Sequence, residues 1–500
     1  MTEISVAEQA APARSHPTSI PVPVTLVPGD GIGPDVISAT LRVLDAAGAN
    51  IAWDRCVAGR EAFASGVVTG VPDETLASVN RTGVILKGPL ETPIGFGGKS
   101  ANVTLRKLFE VYGNLRPARE LPGVTTPFSG CGIDLIVVRE NVEDLYAGIE
   151  HMQTPNTAQC LKLMTRTGCE KIVRLAFEVA RAEGRKSVHC ATKANIMKLS
   201  EGLMKRTFED VAPEYPDITP HHIIIDNCAH QLVINPEQFE VIVTSNMNGD
   251  IISDLTSGLV GGLGVAPSSS ISATTAIFEP VHGSAPDIAG QDKANPIAMI
   301  LTAVMMLRHV GQTEIATTVE NAVLVTLEEG RTLTGDLARR RAGATAVGTE
   351  AFTDAIIANL GRAPSAFGAR VTKKLQIPTV ARDLKPLRPR ELVGVDVFME
   401  ARDTAANLGA RLDEAFADSH LTFKVLTNRG TVVYPVPAGQ VDTVECWTAR
   451  FMKPESVDSL TDADIVDALQ RVAKVAHWMH VEKLHVFDGV PGFSRAQGED

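Results

Sequence analysis

The chain has 500 residues and a formal net charge of −12, from 47 Lys and Arg against 59 Asp and Glu. That balance argues against nucleic acid or an anionic membrane surface as the main partner. A hydrophobic share of 44% with 21% charged residues excludes wholesale disorder, and 5% aromatic residues is too few for base-stacking platforms. A small anionic substrate is compatible with these totals, because a local arginine cluster does not show in a net charge.

At roughly 150 residues per domain the length alone suggests about three domains. Residues 1–20 lack an apolar h-region and read as a disordered tail. From Pro21 onward the chain alternates strand and helix signals. An apolar run breaks at Gly29-Asp30-Gly31, a helix opens at Pro34 and closes at Gly48, residues 51–59 read as a strand, and residues 82–89 read as a buried strand. This rhythm predicts an α/β fold with a largely parallel sheet. Three later segments, at 187–197, 221–228 and 239–250, each run from an apolar strand into a polar residue. Open α/β sheets place reactive groups at such strand ends. Residues 361–390, rich in Pro, Lys and Arg, read as a solvated linker. Residues 391–500 read as strand, helix, a hairpin turning at Asn428-Arg429-Gly430, strand and helix, a compact α+β module without evident chemistry. No run is long enough to span a bilayer. The seven dispersed cysteines form no Cys-x-x-Cys pair, so a reducing, cytoplasmic setting is expected.

Several clusters carry chemistry. Lys87 to Thr92, Ser100-Ala-Asn102 with Arg106, and Asn114-Leu-Arg116 gather cations around a helix that Ser100 caps, a natural carboxylate site. Arg139 follows the apolar strand IDLIVV, and Tyr146 stands seven residues on as a candidate proton donor. Asp250 and Asp254 share one face of a helix at i, i+4, where a hard divalent cation relieves their repulsion, and Asp226 at a strand end is a third candidate ligand. Lys193 lies in an otherwise apolar segment, and desolvation there lowers a lysine pKa toward a useful base. His221, His222 and His230 straddle Asp226 but give only a weak zinc signal, and His477, His480 and His485 read as a helix face. The glycines at 29, 31 and 33 miss the dinucleotide fingerprint, so no Rossmann-type site is expected.

Taken in order, S-x-N-x-x-x-R, N-L-R-P, R-E-N-x-E-D-x-Y-A-G, K-x-N-I-M-K, N-G-D-x-x-S-D and H-G-S-A-P make the chain similar, from about Val22 to Leu360, to the β-decarboxylating dehydrogenases of the isocitrate/isopropylmalate type. The long C-terminal module resembles that of the bacterial isocitrate dehydrogenases with such an extension. The resemblance implies a non-Rossmann α/β fold. Its large domain would comprise 21–111 with 261–360, and its small domain 112–260 with a dimer clasp near 147–166. The 361–390 linker and the 391–500 module follow.

The same resemblance implies metal-dependent oxidative decarboxylation of isocitrate by a homodimer with shared active sites. Arg106, Arg116, Arg139, Ser100 and Asn102 would bind substrate. Asp226, Asp250 and Asp254 would hold Mg²⁺ or Mn²⁺. Lys193 and Tyr146 would move protons, with the equivalents of Lys193 and Asp226 reaching into the neighbouring site. Lys87, Thr92, His282, Gly283, Ser284, Ala285, Asp287, Ile288 and Asn295 would bind the dinucleotide.

Asp287-Ile288 stand where NADP users of the family typically carry Lys-Tyr, and Gly335 stands where they carry a tyrosine. An aspartate accepts ribose hydroxyls and repels a 2′-phosphate, so NAD is expected, although Arg339-Arg340-Arg341 stand against it. Homoisocitrate and 3-isopropylmalate are the neighbouring substrates, and a non-catalytic regulatory subunit is the alternative of another class. Ser100 and Asn102 disfavour an isopropyl group, which forms no hydrogen bonds.

Overall fold

The computed structural model describes residues 20–91, 100–341, 343–366, 368–370, 373–380, 389–437 and 439–499. Thr92 and most of the expected N-terminal tail lie outside the described residues.

Among the described residues twenty strands form in chain order. They are β1 (Val22–Val27), β2 (Ile51–Arg55), β3 (Val84–Lys87), β4 (Gly113–Arg119), β5 (Asp134–Glu140), β6 (Glu150–Thr154), β7 (Thr157–Cys160), β8 (Ser187–Thr192), β9 (Thr219–Ile224) and β10 (Val241–Thr244). After these come β11 (Ser269–Ile271), β12 (Ala276–Phe278), β13 (Thr332–Thr334), β14 (Thr345–Val347), β15 (Arg390–Glu400), β16 (Thr422–Asn428), β17 (Thr431–Tyr434), β18 (Cys446–Met452), β19 (His477–Phe487) and β20 (Val490–Pro491).

Ten of them form one sheet in the order β2-β1-β3-β12-β11-β4-β5-β10-β8-β9. The two wings are parallel, so the sheet is largely parallel as expected, but β12-β11-β4-β5 at the centre pair antiparallel. The parallel strands VILK and VIVT are buried at every position, the mark of a sheet covered on both faces. The helix Gly33–Ala46 has Pro34 in its first turn, and Gly48 follows it at φ +77. The helix Arg166–Glu183 is capped by Thr165, whose hydroxyl accepts from Gly168 N, and ends on left-handed Gly184. β6 and β7 make a separate hairpin, largely exposed.

The C-terminal strands pair as β17-β16-β18-β15-β19-β20, all antiparallel, with the helices Ala405–Phe416 and Asp462–Val472 interleaved between them. This is the split β-α-β arrangement of ferredoxin-like modules. It has its own core, including Val397, Leu412, Trp447 and Phe451. The expected last helix stops at Val472. His477, His480 and His485 lie on strand β19, paired to β15, and do not form a helix face.

The linker is also corrected in part. Arg370 pairs with Asp134, Lys373 N donates to Ala182 O at 2.9 Å, and Tyr112 Oη donates to Pro378 O at 3.3 Å, so the segment packs on the catalytic unit. Among the described residues no helix is long and apolar enough to cross a membrane.

Candidate active site

Three guanidiniums meet where β4, β5 and two helices converge. Arg139, at the end of β5, is almost fully buried. Its Nε donates to Asn246 O at 2.9 Å, its Nη2 donates to Asn246 Oδ1 at 2.8 Å, and its Nη1 pairs with Asp250. Arg116, on β4, donates from Nε to Asn114 Oδ1 at 2.7 Å and from Nη1 to Ser253 Oγ at 2.7 Å, and lies 3.3 Å from Asp250 and 3.4 Å from Asp254. Arg106, from the helix Ala101–Leu108, donates to Glu279 Oε1 at 2.7 Å. Burial, then repulsion by Arg116 and Arg106, pushes Arg139 down to about 10. Three guanidiniums gathered at one place suit a polycarboxylate.

Tyr146 donates to Asp250 Oδ2 at 2.6 Å and lies under the Arg139 guanidinium. Burial and then that bond raise the phenol pKa. Asp250 is lowered because Arg139, Tyr146 and Arg116 outweigh burial. Asp254 is raised by burial, with Asp250 adding repulsion and Arg116 opposing. Ser100 is the N-cap residue of the Ala101–Leu108 helix. Asn102 donates to Leu90 O at 3.4 Å, and its Oδ1 is buried without a hydrogen-bond partner.

The structure does not bring all the expected residues together in one chain. Asp226 opens the helix Ile225–Ile234, is exposed, and pairs with Lys193 at 2.7 Å, which holds its carboxyl below the ordinary range. Lys193 is itself partly exposed, so the expected apolar setting is absent here. Among the described residues no three His, Cys, Asp or Glu side chains group around one metal position. The Asp226, Asp250 and Asp254 set is therefore not assembled within a single chain. Asp250 and Asp254, one helical turn apart and open to solvent, offer oxygen donors of the kind that a hard divalent cation takes.

The dinucleotide candidates form a loop backed by glycine. Ile32 N donates to Ser284 O at 2.7 Å, and a Cβ on Gly31 would stand 2.0 Å from that same oxygen. The Gly29-Asp30-Gly31 turn thus packs against Gly283-Ser284-Ala285 and carries no fingerprint of its own. His282 Nδ1 lies 3.0 Å from Gly283 O, its Nε2 is buried without a partner, and burial lowers its pKa. A neutral ring donating through Nδ1 leaves Nε2 as an acceptor, which fits a purine amine. Asn295 Nδ2 donates to Asp336 at 2.9 Å, in the segment that leads to Arg339 and Arg340. Asp287 is exposed and Ile288 half-buried. Lys87 is buried, paired at 2.5 Å with Glu279.

Glu279 was not singled out from the sequence, yet it binds both Lys87 and Arg106. Asn246 and Ser253, which hold Arg139 and Arg116, were missed as well. They sit within the N-G-D-x-x-S-D neighbourhood, whose carboxylates drew the attention.

Residues 23–356 match the family model described as isocitrate/isopropylmalate dehydrogenase, and residues 390–499 match the bacterial isocitrate dehydrogenase C-terminal domain. A Thermus thermophilus protein named isocitrate dehydrogenase (NADP) is 57% identical over 95% of this chain and 96% of its own. A Rickettsia bellii protein of the same name is 40% identical over 95% and 99%. A crystal structure of a Thermus thermophilus protein superposes with a TM-score of 0.91 at 56% identity, covering 96% of each chain.

These relatives overturn the expectation of NAD, since both are named for NADP. Asp287 is exposed, as are Arg339 and Arg340, so solvent screens both the carboxylate and the guanidiniums, and Asp287 alone does not decide the cofactor. With both models matched in order and relatives aligned nearly end to end, the chain belongs to the isocitrate/isopropylmalate dehydrogenase family.

Proposed function

We propose that the chain catalyses oxidative decarboxylation of isocitrate to 2-oxoglutarate and CO₂, using NADP and Mg²⁺ or Mn²⁺. The observation that carries this reading is the convergence of Arg106, Arg116 and Arg139 beside Tyr146 and Asp250, three cations for three carboxylates. Ser100 and Asn102 contribute polar groups at the same helix start. When bound, the cation supplies Lewis-acid polarisation of the substrate hydroxyl and the dinucleotide accepts the hydride.

The chain's own residues do the rest. The arginines bind and orient the carboxylates, and Glu279 fixes Arg106. Tyr146 keeps a proton at its Oη for delivery to carbon. Asp250 and Asp254 would hold the cation, with Asp226 of the partner subunit as the third donor and the partner's Lys193 taking the hydroxyl proton. Support for pairing comes from apolar side chains exposed after Lys193 and on the helices of Asp226 and Asp250: Ile196 (69%), Leu199, Ile234, Met247 and Ile251 (58%). The small half, 112–260, and its β6-β7 hairpin would form the subunit contact. Lys87, His282 to Ala285, Ile288 and Asn295 would bind the dinucleotide, with Arg339 and Arg340 beside its 2′-phosphate.

Initial rates with isocitrate, homoisocitrate and 3-isopropylmalate, each against NADP and NAD with Mn²⁺, test the reading. The expected result is turnover of isocitrate with NADP. Comparable rates on 3-isopropylmalate would remove the Ser100 and Asn102 argument, and no turnover of any acid would favour a regulatory subunit.

A further inference from the structure

On the sheet face opposite the arginine cleft lies a cavity of about 610 Å³, within the range of roughly 300–1,000 Å³ common for ligand pockets. β4 separates the two. Arg116 serves the cleft, while its neighbours Leu115 and Pro117 line the cavity. Ile136, Val179, Phe278, Leu301 and Leu324 extend the apolar wall.

The polar lining is unbalanced. Arg119, Arg308 and Arg370 supply three guanidiniums, and the exposed Lys373 and Lys374 two further cations, against the carboxylates of Glu183 and Glu320 in the lining and of Asp134 beside Arg370. Arg308 pairs with Glu320 and donates to Arg370 O at 3.0 Å. Arg370 pairs with Asp134 and lies 3.8 Å from Glu183. The Nε atoms of Arg308 and Arg370 are nonetheless buried without hydrogen-bond partners. Burial and the charge of Arg119 push Arg370 down to about 9, and burial holds His309 toward its neutral form. Unpaired buried donors and crowded cations are costly unless an anion meets them.

We propose that this cavity binds an amphipathic anion, a single carboxylate or phosphate head on an apolar body. The head pairs with Arg370 and Arg308, and the body lies along Leu115, Val179 and Leu301. One wall is the linker, held down by Lys373 N on Ala182 O at 2.9 Å, so the ligand is clamped between the sheet and the strap that leads to the C-terminal module.

Calorimetric titration of the full chain with octanoate, octyl phosphate and neutral 1-octanol tests this. The expected result is saturable binding of at least one of the two anions, the better one identifying the head group. Binding should weaken about tenfold or more in Arg370→Met, as loss of a charge-assisted contact predicts. It should disappear in Met305→Trp, which fills the cavity without removing a charge, and persist in Arg106→Met, where the opposite cleft is altered. No saturable binding of either anion, equal binding of 1-octanol, or loss in Arg106→Met with retention in Met305→Trp would overturn the proposal.

Discussion

Tyr146 Oη donates to Asp250 Oδ2 across 2.6 Å, tying a phenol to a carboxylate that Arg139 and Arg116 also hold. The phenol stays protonated through neutral pH, because burial and that bond both raise its pKa. Tyr146→Phe removes the proton and leaves the ring under Arg139. It should lower kcat by about 10² to 10⁴, the usual range for a lost general acid, with KM for isocitrate nearly unchanged. Steady-state kinetics decide this, and a KM increase with unchanged kcat would make Tyr146 a binding residue only.

Glu279 pairs with two buried cations, Lys87 and Arg106. Burial alone would raise its pKa, but Lys87 and Arg106 overcome this and hold it well below the carboxylate range. Its stabilising effect is therefore full above the unfolded carboxylate pKa of about 4.3 and is lost as pH falls below it. Glu279→Gln should destabilise by about 3 kcal/mol near pH 7, typical of breaking a buried pair, and by less near pH 3.5. Thermal unfolding at both pH values measures the difference.

Glu140 shows the opposite sign. Burial pushes it up to about 7, although it accepts backbone N–H bonds from Val142 at 2.7 Å and Glu143 at 3.0 Å. Ionising it in the fold costs free energy that is fully present above about pH 7 and absent below about pH 4.3, on the order of 3 kcal/mol. Glu140→Gln should raise Tm relative to the parent at pH 8 and leave it nearly unchanged at pH 4.5. An equal gain at both pH values would show that the carboxylate's charge is irrelevant.

The 2′-phosphate proposal rests on exposed arginines. Arg339 Nε donates to Gly335 O at 2.9 Å, and Arg340 Nη1 lies 3.5 Å from Gly261 O. Replacing both by Ala should cost roughly 10- to 100-fold in kcat/KM for NADP, as for lost charged hydrogen bonds, and leave NAD kinetics unchanged. Equal losses for both dinucleotides would place these residues outside the phosphate site.

What was legible in the sequence was local. The i, i+4 spacing of Asp250 and Asp254, the helix start at Ser100 and the polar residues near strand ends could all be read within a few residues, although the Ser100 side chain makes no capping hydrogen bond. What was hidden was distant or collective. Glu279 follows a three-residue strand, and its partner Arg106 is 173 positions away, so no window contains both. The antiparallel centre of the sheet depends on two three-residue strands whose pairing is decided by tertiary contacts. Asp226 lies just past the end of its strand, in the first turn of the helix Ile225–Ile234, and pairs there with Lys193 and not with the Asp250 group of the same chain. The cofactor expectation, drawn from Asp287-Ile288 and Gly335, is overturned by the relatives named for NADP, and Asp287, Arg339 and Arg340 are all exposed, so no single one of these charges decides the matter.

The central ladder joins β11 to β4 through Ser269 with Leu115, Ser270 with Asn114, and Ile271 with Gly113. Lys87 and the His282 loop lie on one side of this seam, and Arg116, Arg139 and Asp250 on the other. Any opening or closing between them must therefore be absorbed as torsion in a continuous hydrogen-bonded sheet, as in a leaf spring. The rest position of the cleft is then set by the native twist of three residue pairs.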